Sequence, residues 1–240
     1  MIQKCINENN IKDYFEPFVG GANMIDKISC KHRIGNDLHT ELIELLKHVQ
    51  RNVEDVPDRI LEEEYGKVRD NKNEYPSWYV GLVGFCSSFG AKYFGGYARD
   101  SKDDNSGKWS AGAIRNLKSQ AEKIQDVVFT NENYLDIDKR QLHNFMIYCD
   151  PPYKGTLKYK TSEFDYESFW DWVASVSQDN YVLVSEYNAP DGFVPVWDKI
   201  CKTLIDSKKV KDDFGNIRTE KLFTYSNGLY ANQYIFKKLA

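Results

Sequence analysis

Asp13-Tyr14-Phe15-Glu16-Pro17-Phe18-Val19-Gly20-Gly21-Ala22 is the stretch from which the fold is read. Its first four residues, with Tyr14 and Phe15 at their centre, read as a short strand. Pro17 stops that strand, because its φ is fixed and it has no N–H to give. Gly20-Gly21 supplies a tight turn, and residues 22–28 read as a helix. Residues 31–35 form a second strand, closed by Asn36-Asp37. Residues 38–49 are an amphipathic helix with Leu38, Leu42, Leu45, Leu46 and Val49 on one side. Strand, helix, strand, helix opens a doubly wound parallel sheet. Upstream, Ile2, Cys5, Ile6 and Asn9 share one helical face.

Downstream the pattern changes. The next core strand, Val127–Thr130, begins 90 positions after Asp37. A simple crossover needs about a dozen residues, so something is inserted. The insertion reads as helical over 58–71, 77–89 and 110–125, with a Gly-rich aromatic stretch over 90–108. We expect an inserted helical subdomain over 50–115, with 1–49 and 116–240 forming the domain that receives it. The sheet resumes with strands at Phe145–Cys149 and 181–185, separated by the helix Tyr166–Val176. The tail reads as antiparallel strands at 202–205, 222–225 and 234–237, with a turn at 212–216.

The bulk properties bound the function. A chain of 240 residues suits one large domain, or a core domain carrying an insertion. Net charge is −4, so a nucleic-acid partner has to be held by a local basic patch. The five cysteines are scattered without a C-x-x-C pair, and the four histidines lack ligand spacing. That argues against a disulfide framework and a metal site. No secretory leader is read at residues 1–8, and the apolar run over 79–86 is too short to cross a bilayer. A cytoplasmic protein without a membrane partner is expected. Aromatic residues make up 14%, which fits either a Tyr-rich core or flat faces for stacking on bases.

Three local patterns carry chemistry. Cys149-Asp150-Pro151-Pro152-Tyr153 follows an apolar strand and therefore sits at its carboxyl end, the edge where open α/β sheets bind ligands. Two prolines offer no backbone donors, so the turn presents only acceptors. Asp150 and the Pro151 carbonyl can each take one hydrogen of an uncharged amine on a flat ring, and Tyr153 can stack on that ring. The bland alternative is a proline-rich turn. Gly20-Gly21 lets a ligand approach the backbone closely, or simply lets a helix pack tightly on a strand. Asp37 ends the second strand 16–17 positions after the glycines. An acid there accepts hydrogen bonds from ribose hydroxyls, at near the expected separation of about 20. It is equally suited to N-cap the next helix.

Glu16-Pro17-Phe18-x-Gly20-Gly21, followed at long range by Asp150-Pro151-Pro152-Tyr153, resembles the Dam-like, alpha-class DNA adenine (N6) methyltransferases. The resemblance covers roughly residues 11–237. It implies a Rossmann-like, mostly parallel sheet with an antiparallel C-terminal strand and a helical target-recognition region. It implies S-adenosylmethionine as methyl donor, no metal, and double-stranded DNA as partner; the oligomeric state stays open, a monomer on DNA being one option. The segment Phe15, Glu16, Pro17, Phe18, Gly20, Gly21, Ala22 would hold the methionine part of the donor and Asp37 its ribose. Asn133 and Tyr134 would lie beside its adenine ring. Residues 85–99, with Lys92, Tyr93 and Arg99, look like the family's DNA-reading hairpin. Ser185-Glu186-Tyr187 would wall the target pocket. Such enzymes act alone or within restriction-modification systems.

Charge supports a DNA-facing side. Lys92, Arg99, Lys102, Lys108, Arg115 and Lys118 outnumber Asp100, Asp103 and Asp104, and Lys154, Lys158 and Lys160 follow the proline motif. Residues 41–74 instead carry ten acids and six bases. Solvated loop lysines are the plain alternative. One family feature is not found: residues 1–12 contain no Gly-Gly-Lys or Gly-Ser-Lys motif, and Lys4 lies in a helical pattern. The alternatives are therefore a cofactor-deficient DNA-binding relic, or an amine methyltransferase acting on cytosine or a protein amide.

Overall fold

The computed structural model describes residues 1–99, 101, 106–152, 164–202 and 217–234. They form an α/β fold whose seven strands are mostly parallel, with an antiparallel C-terminal pair, as the Rossmann-like expectation requires. The chain divides into two compact units: Met1–Phe18 with Leu135–Ala240, and Val19–Tyr134.

In the first unit, helix α1 (Ile2–Glu8) buries Ile2, Cys5 and Ile6. Asn10, at φ 51°, turns the chain into strand β1 (Asp13–Glu16). In the second unit the elements are β2 (His32–Asn36), α2 (Thr40–Arg51), α3 (Glu62–Asp70), α4 (Ser77–Cys86), α5 (Lys108–Gln120) and β3 (Val127–Thr130). The chain then returns to the first unit with β4 (Phe145–Cys149), α6 (Tyr166–Val176), β5 (Tyr181–Glu186), β6 (Phe193–Lys202), β7 (Ile217–Tyr225) and α7 (Leu229–Tyr234).

The strand order in the first unit is β1-β4-β5-β7-β6. β1, β4 and β5 run parallel, with Tyr14 opposite Met146 and Ile147 opposite Val182. β7 is antiparallel to β5 and to β6. Met146, Ile147, Val182, Leu183 and Val184 are fully buried. Strands covered on both faces read as unbroken apolar runs rather than as alternation, which is why β4 and β5 were legible. Helix α6 buries Phe169, Trp172, Val173 and Val176, the spacing of one helical face. Its N-cap Asp165 accepts from the Ser168 backbone N–H. Buried Asn180 pins the start of β4: its amide donates to the carbonyls of Leu142 and Val176, and its oxygen accepts from Phe145 N–H.

In the second unit β2 and β3 are parallel neighbours. Buried Arg33 ties the segment before β2 to the segment before β3. It donates to the carbonyls of Ile25 (2.7 Å), Ile28 (3.2 Å) and Lys123 (2.8 Å), and it pairs with Asp126. Helix α2 buries Leu42, Ile43, Leu45, Leu46 and Val49, and α4 crosses it closely at Gly81. No helix among the described residues is long and apolar enough to cross a membrane.

Several expectations change in detail. Residues 22–28 are not an α-helix. Ala22 sits at φ 57°, and only Ile25–Lys27 form a 3-10 turn. Leu38 is not on the buried face of α2: it precedes the helix and is 72% exposed. The inserted helices are shorter than their patterns, at Glu62–Asp70 and Ser77–Cys86. In the tail, the strand expected at 202–205 shares only Lys202 with the observed β6, which begins at Phe193 and contains Pro195. β6 is an edge strand, and its register shifts between Pro195 and Trp197. Tyr234, the first residue of the strand expected at 234–237, is instead the last residue of α7; residues 235–237, 203–205 and 212–216 lie outside the described residues.

Candidate active site

Three parallel strands of the first unit end in carboxylates: β1 in Glu16, β5 in Glu186, and β4 in Cys149 followed directly by Asp150. The register makes β4 the middle strand of the three. Asp150 is exposed, Pro151 buried and Pro152 exposed. The catalytic carboxylate expected from the sequence thus faces outward at the carboxyl edge of the sheet. Glu16 and Glu186 are buried. Tyr14 donates to Glu16 Oε1 at 2.7 Å, and Glu186 Oε1 accepts from Tyr187 N–H at 2.7 Å.

The groups around Asp150 stay neutral. Burial, and then the nearby Asp150, hold the Tyr148 phenol above its usual range. Burial does the same to the Cys149 thiol, with Asp150 and Glu16 adding to it. Burial and Glu16 raise the Tyr14 phenol. The phenols and the thiol therefore form a neutral, poorly solvated floor beneath the strand ends.

The Asp-Pro-Pro turn is held from the start of α6. Tyr166 donates its hydroxyl to the Pro152 carbonyl at 2.6 Å. The Tyr166 ring lies edge-on to Phe164, at 4.9 Å between centroids. Phe164 and Phe169 both pack on Phe18, at 5.8 and 5.7 Å. Phe18, expected beside the methyl donor, is thus one wall of an aromatic cluster that also supports the proline turn. Phe15 and Pro17 are buried, Phe15 as a core residue of β1. The sequence did not point to Phe164, Tyr166 or Phe169. Their only signal was the aromatic run beginning next to the capping residue Asp165.

The second unit gathers the remaining donor-site candidates at the carboxyl ends of β2 and β3. Val19 N–H donates to Asn36 O at 2.7 Å and Ala22 N–H to Val19 O at 2.9 Å, closing the glycine bend. Gly20, at φ 49°, donates its N–H to Asp37 Oδ2 at 3.1 Å, while Asp37 Oδ1 accepts from His39 N–H at 2.9 Å. Asp37 is not the N-cap of α2, as one reading had it. The helix starts at Thr40, and the carboxylate latches the glycine bend instead. Burial raises the Asp37 carboxyl, against the lowering effect of these two hydrogen bonds. The Gln120 amide reaches Gly21 O and Asp26 Oδ2, each at 3.3 Å. Asn36 exchanges hydrogen bonds with the Glu132 backbone, and Asn131 donates to Asp37 O. Exposed Asn133 and buried Tyr134 follow directly.

The expected DNA-reading stretch is a tight loop. Ser88 bridges Tyr97, and Phe89 N–H donates to Gly96 O at 3.0 Å. The Tyr65 hydroxyl accepts from Gly96 N–H, and Tyr97 donates to Ile60 O. At the tip Phe89 is 68% exposed, followed by Gly90 and Ala91 at positive φ and by exposed Lys92. Tyr93 is half-buried against His39 and donates to Glu41 Oε1. Arg99 pairs with Glu62. Tyr153, Lys154, Lys158 and Lys160 lie outside the described residues, as do Asp100, Lys102, Asp103 and Asp104. Among the described residues no group of three or more His, Cys, Asp or Glu is arranged to hold a metal.

Comparison with known proteins adds two findings. Residues 1–180 match the family model of the D12 class N6 adenine-specific DNA methyltransferases. The type II methyltransferase M.MjaIII of Methanocaldococcus jannaschii is 27% identical over 198 residues, covering 71% of this chain and 68% of that protein.

Proposed function

The chain belongs to the D12 class N6 adenine-specific DNA methyltransferases, and from that membership we propose that it methylates adenine in double-stranded DNA through Asp150 and Pro151, with S-adenosylmethionine as donor. The observation that carries this reading is the exposed acceptor-only turn at the end of the middle strand of three.

The donor-site candidates suit a nucleoside carrying an amino acid. Asp37 is an acceptor at the end of β2, suited to a ribose diol. The position of a Cβ at Gly20 has no atom within 4 Å, so the bend is open where a ligand would approach. Asn133 and Tyr134 supply a polar edge and a ring. When bound, the donor supplies an electrophilic sulfonium methyl.

The protein's own part is positional. The target nucleotide has to leave the duplex, at a cost of a few kcal/mol. Stacking on Tyr153 would return about 1–3 kcal/mol. Asp150 and the Pro151 carbonyl each accept one amine hydrogen, which turns the nitrogen lone pair toward the methyl. Formation of the N–C bond would break the donor's S–C bond to that methyl and leave S-adenosylhomocysteine as the neutral thioether; positive charge grows on the amine nitrogen, and the Asp150 carboxylate stabilises it. One amine proton then leaves, restoring a neutral N-methyl amine. The loop over 88–97 and the wider 50–115 region are the candidate target readers. M.MjaIII is named a type II methyltransferase, and the same class is proposed for this chain.

Incubation with unmethylated duplex DNA and labelled S-adenosylmethionine, followed by nucleoside mass spectrometry, tests the reading. N6-methyladenine is expected; label in cytosine, in protein or in nothing overturns it. Asp150→Ala should lower turnover at least about a hundredfold while the thermal midpoint stays near that of the wild type.

A further inference from the structure

Pro151 and Pro152 have no N–H groups, so these two residues cannot be anchored by backbone donors of their own. Their carbonyls are their only main-chain polar handles. The reaction reserves the Pro151 carbonyl for the target amine. The Pro152 carbonyl is the next one along, and it already has a partner in Tyr166, 14 residues further on.

That partner is itself rigidly mounted. Tyr166 is the first residue of α6. The residue before it, Asp165, accepts from both the N–H (3.0 Å) and the Oγ (2.6 Å) of Ser168. The Tyr166 ring packs on Phe164, which packs on fully buried Phe169. Phe18, two residues beyond β1, touches both phenylalanines. Proline fixes φ at two positions of the turn, which leaves the ψ angles free. A hydrogen bond to the last carbonyl removes much of that freedom.

We propose that Tyr166 is a positioning residue for methyl transfer, its hydroxyl holding the Pro152 carbonyl so that Asp150 and the Pro151 carbonyl meet the target amine in register. The inference rests on the methyltransferase reading above. Tyr166 acts through the turn and touches neither DNA nor donor in this role. In-line transfer is sensitive to sub-ångström placement, and a misplacement of about 1 Å costs about a hundredfold. Loss of one restraining hydrogen bond, with the prolines still in place, should cost less.

Tyr166→Phe removes the hydroxyl and keeps the ring on Phe164. We expect kcat to fall about tenfold, with KM for DNA and for S-adenosylmethionine unchanged within about twofold and the thermal midpoint near wild type. Tyr181→Phe serves as the comparison: it removes a hydroxyl that bonds Gln233 Oε1 at 3.0 Å at the start of β5, away from the turn, so kcat should stay within about twofold of wild type. Unchanged kcat in Tyr166→Phe overturns the proposal. So does a KM for S-adenosylmethionine that rises in step with the loss of kcat, or a Tyr181→Phe variant that loses as much kcat as Tyr166→Phe. A wild-type protein that transfers no methyl to adenine defeats the underlying reading instead, which is a different result from an active wild type with an indifferent Tyr166.

Discussion

Arg33 and Asp37, four residues apart on one strand and its end, show how differently a charge is used once it is buried. Arg33 satisfies three backbone carbonyls and Asp126. Arg33→Met keeps the apolar stem but leaves those carbonyls without their donor. A loss of about 2–4 kcal/mol is expected in urea denaturation; a loss below about 1 kcal/mol would contradict this account. Asp37 responds to pH. Burial raises its folded pKa above the unfolded value of about 3.9, so folding favours the protonated acid. Its contribution to stability is full below the unfolded pKa and is lost as pH rises through the raised folded pKa. Asp37→Asn cannot ionise. The stability of wild type minus that of the variant should therefore fall as pH rises from about 3.9 upward, followed by denaturant midpoints. A flat or rising difference would refute the assignment. The sequence pointed to Asp37 because its place after a strand and its distance from the glycines are local facts. It could not point to Arg33, whose acidic partner is 93 positions away.

Helices and strands differ in how openly the chain announces them. β1, β3, β4 and α6 were read to the residue: β4 is an apolar run buried along nearly its whole length, β3 a short β-branched run with alternating burial, and α6 a helix with one apolar face. β6 was missed because Pro195 is tolerated only where no neighbour needs its N–H, and edge position is a property of the sheet rather than of the segment. The α2–α4 crossing was equally silent. A Cβ at Gly81 would lie 2.2 Å from the Glu41 carbonyl oxygen, so the helices approach as closely as a bare Cα permits. Gly81→Ala should destabilise by about 2–3 kcal/mol. Gly112, inside α5, has nothing within 4 Å of its Cβ position. There alanine should stabilise by about 0.5–1 kcal/mol, since only helix propensity is at stake. Thermal denaturation of both variants checks the pair, and opposite signs are required. The same limit hid Tyr166. The Asp-Pro-Pro motif is contiguous and was legible, but the hydroxyl that holds it arrives from the next helix.

At the scale of the whole molecule, net charge is −4, so attraction to DNA has to come from a few placed cations rather than from the overall field. Exposed Lys92 and the Glu62-paired Arg99 are the two we propose, on the same loop region but in different electrostatic states. Each phosphate neutralised contributes about −0.9 to the slope of log K against log salt concentration. Lys92→Ala should therefore reduce the magnitude of that slope by about 0.9, measured by fluorescence anisotropy on a duplex. Arg99→Ala should reduce it by clearly less, because Glu62 already offsets that charge. The decisive variant is Glu62→Gln, which frees the guanidinium while retaining a polar side chain at the start of α3. It should tighten DNA binding at low salt and steepen the slope, and it should do neither once Arg99 is also replaced by alanine. Equal slopes for the two alanine variants, or a Glu62→Gln effect that survives loss of Arg99, would mean that the ion pair does not modulate DNA binding.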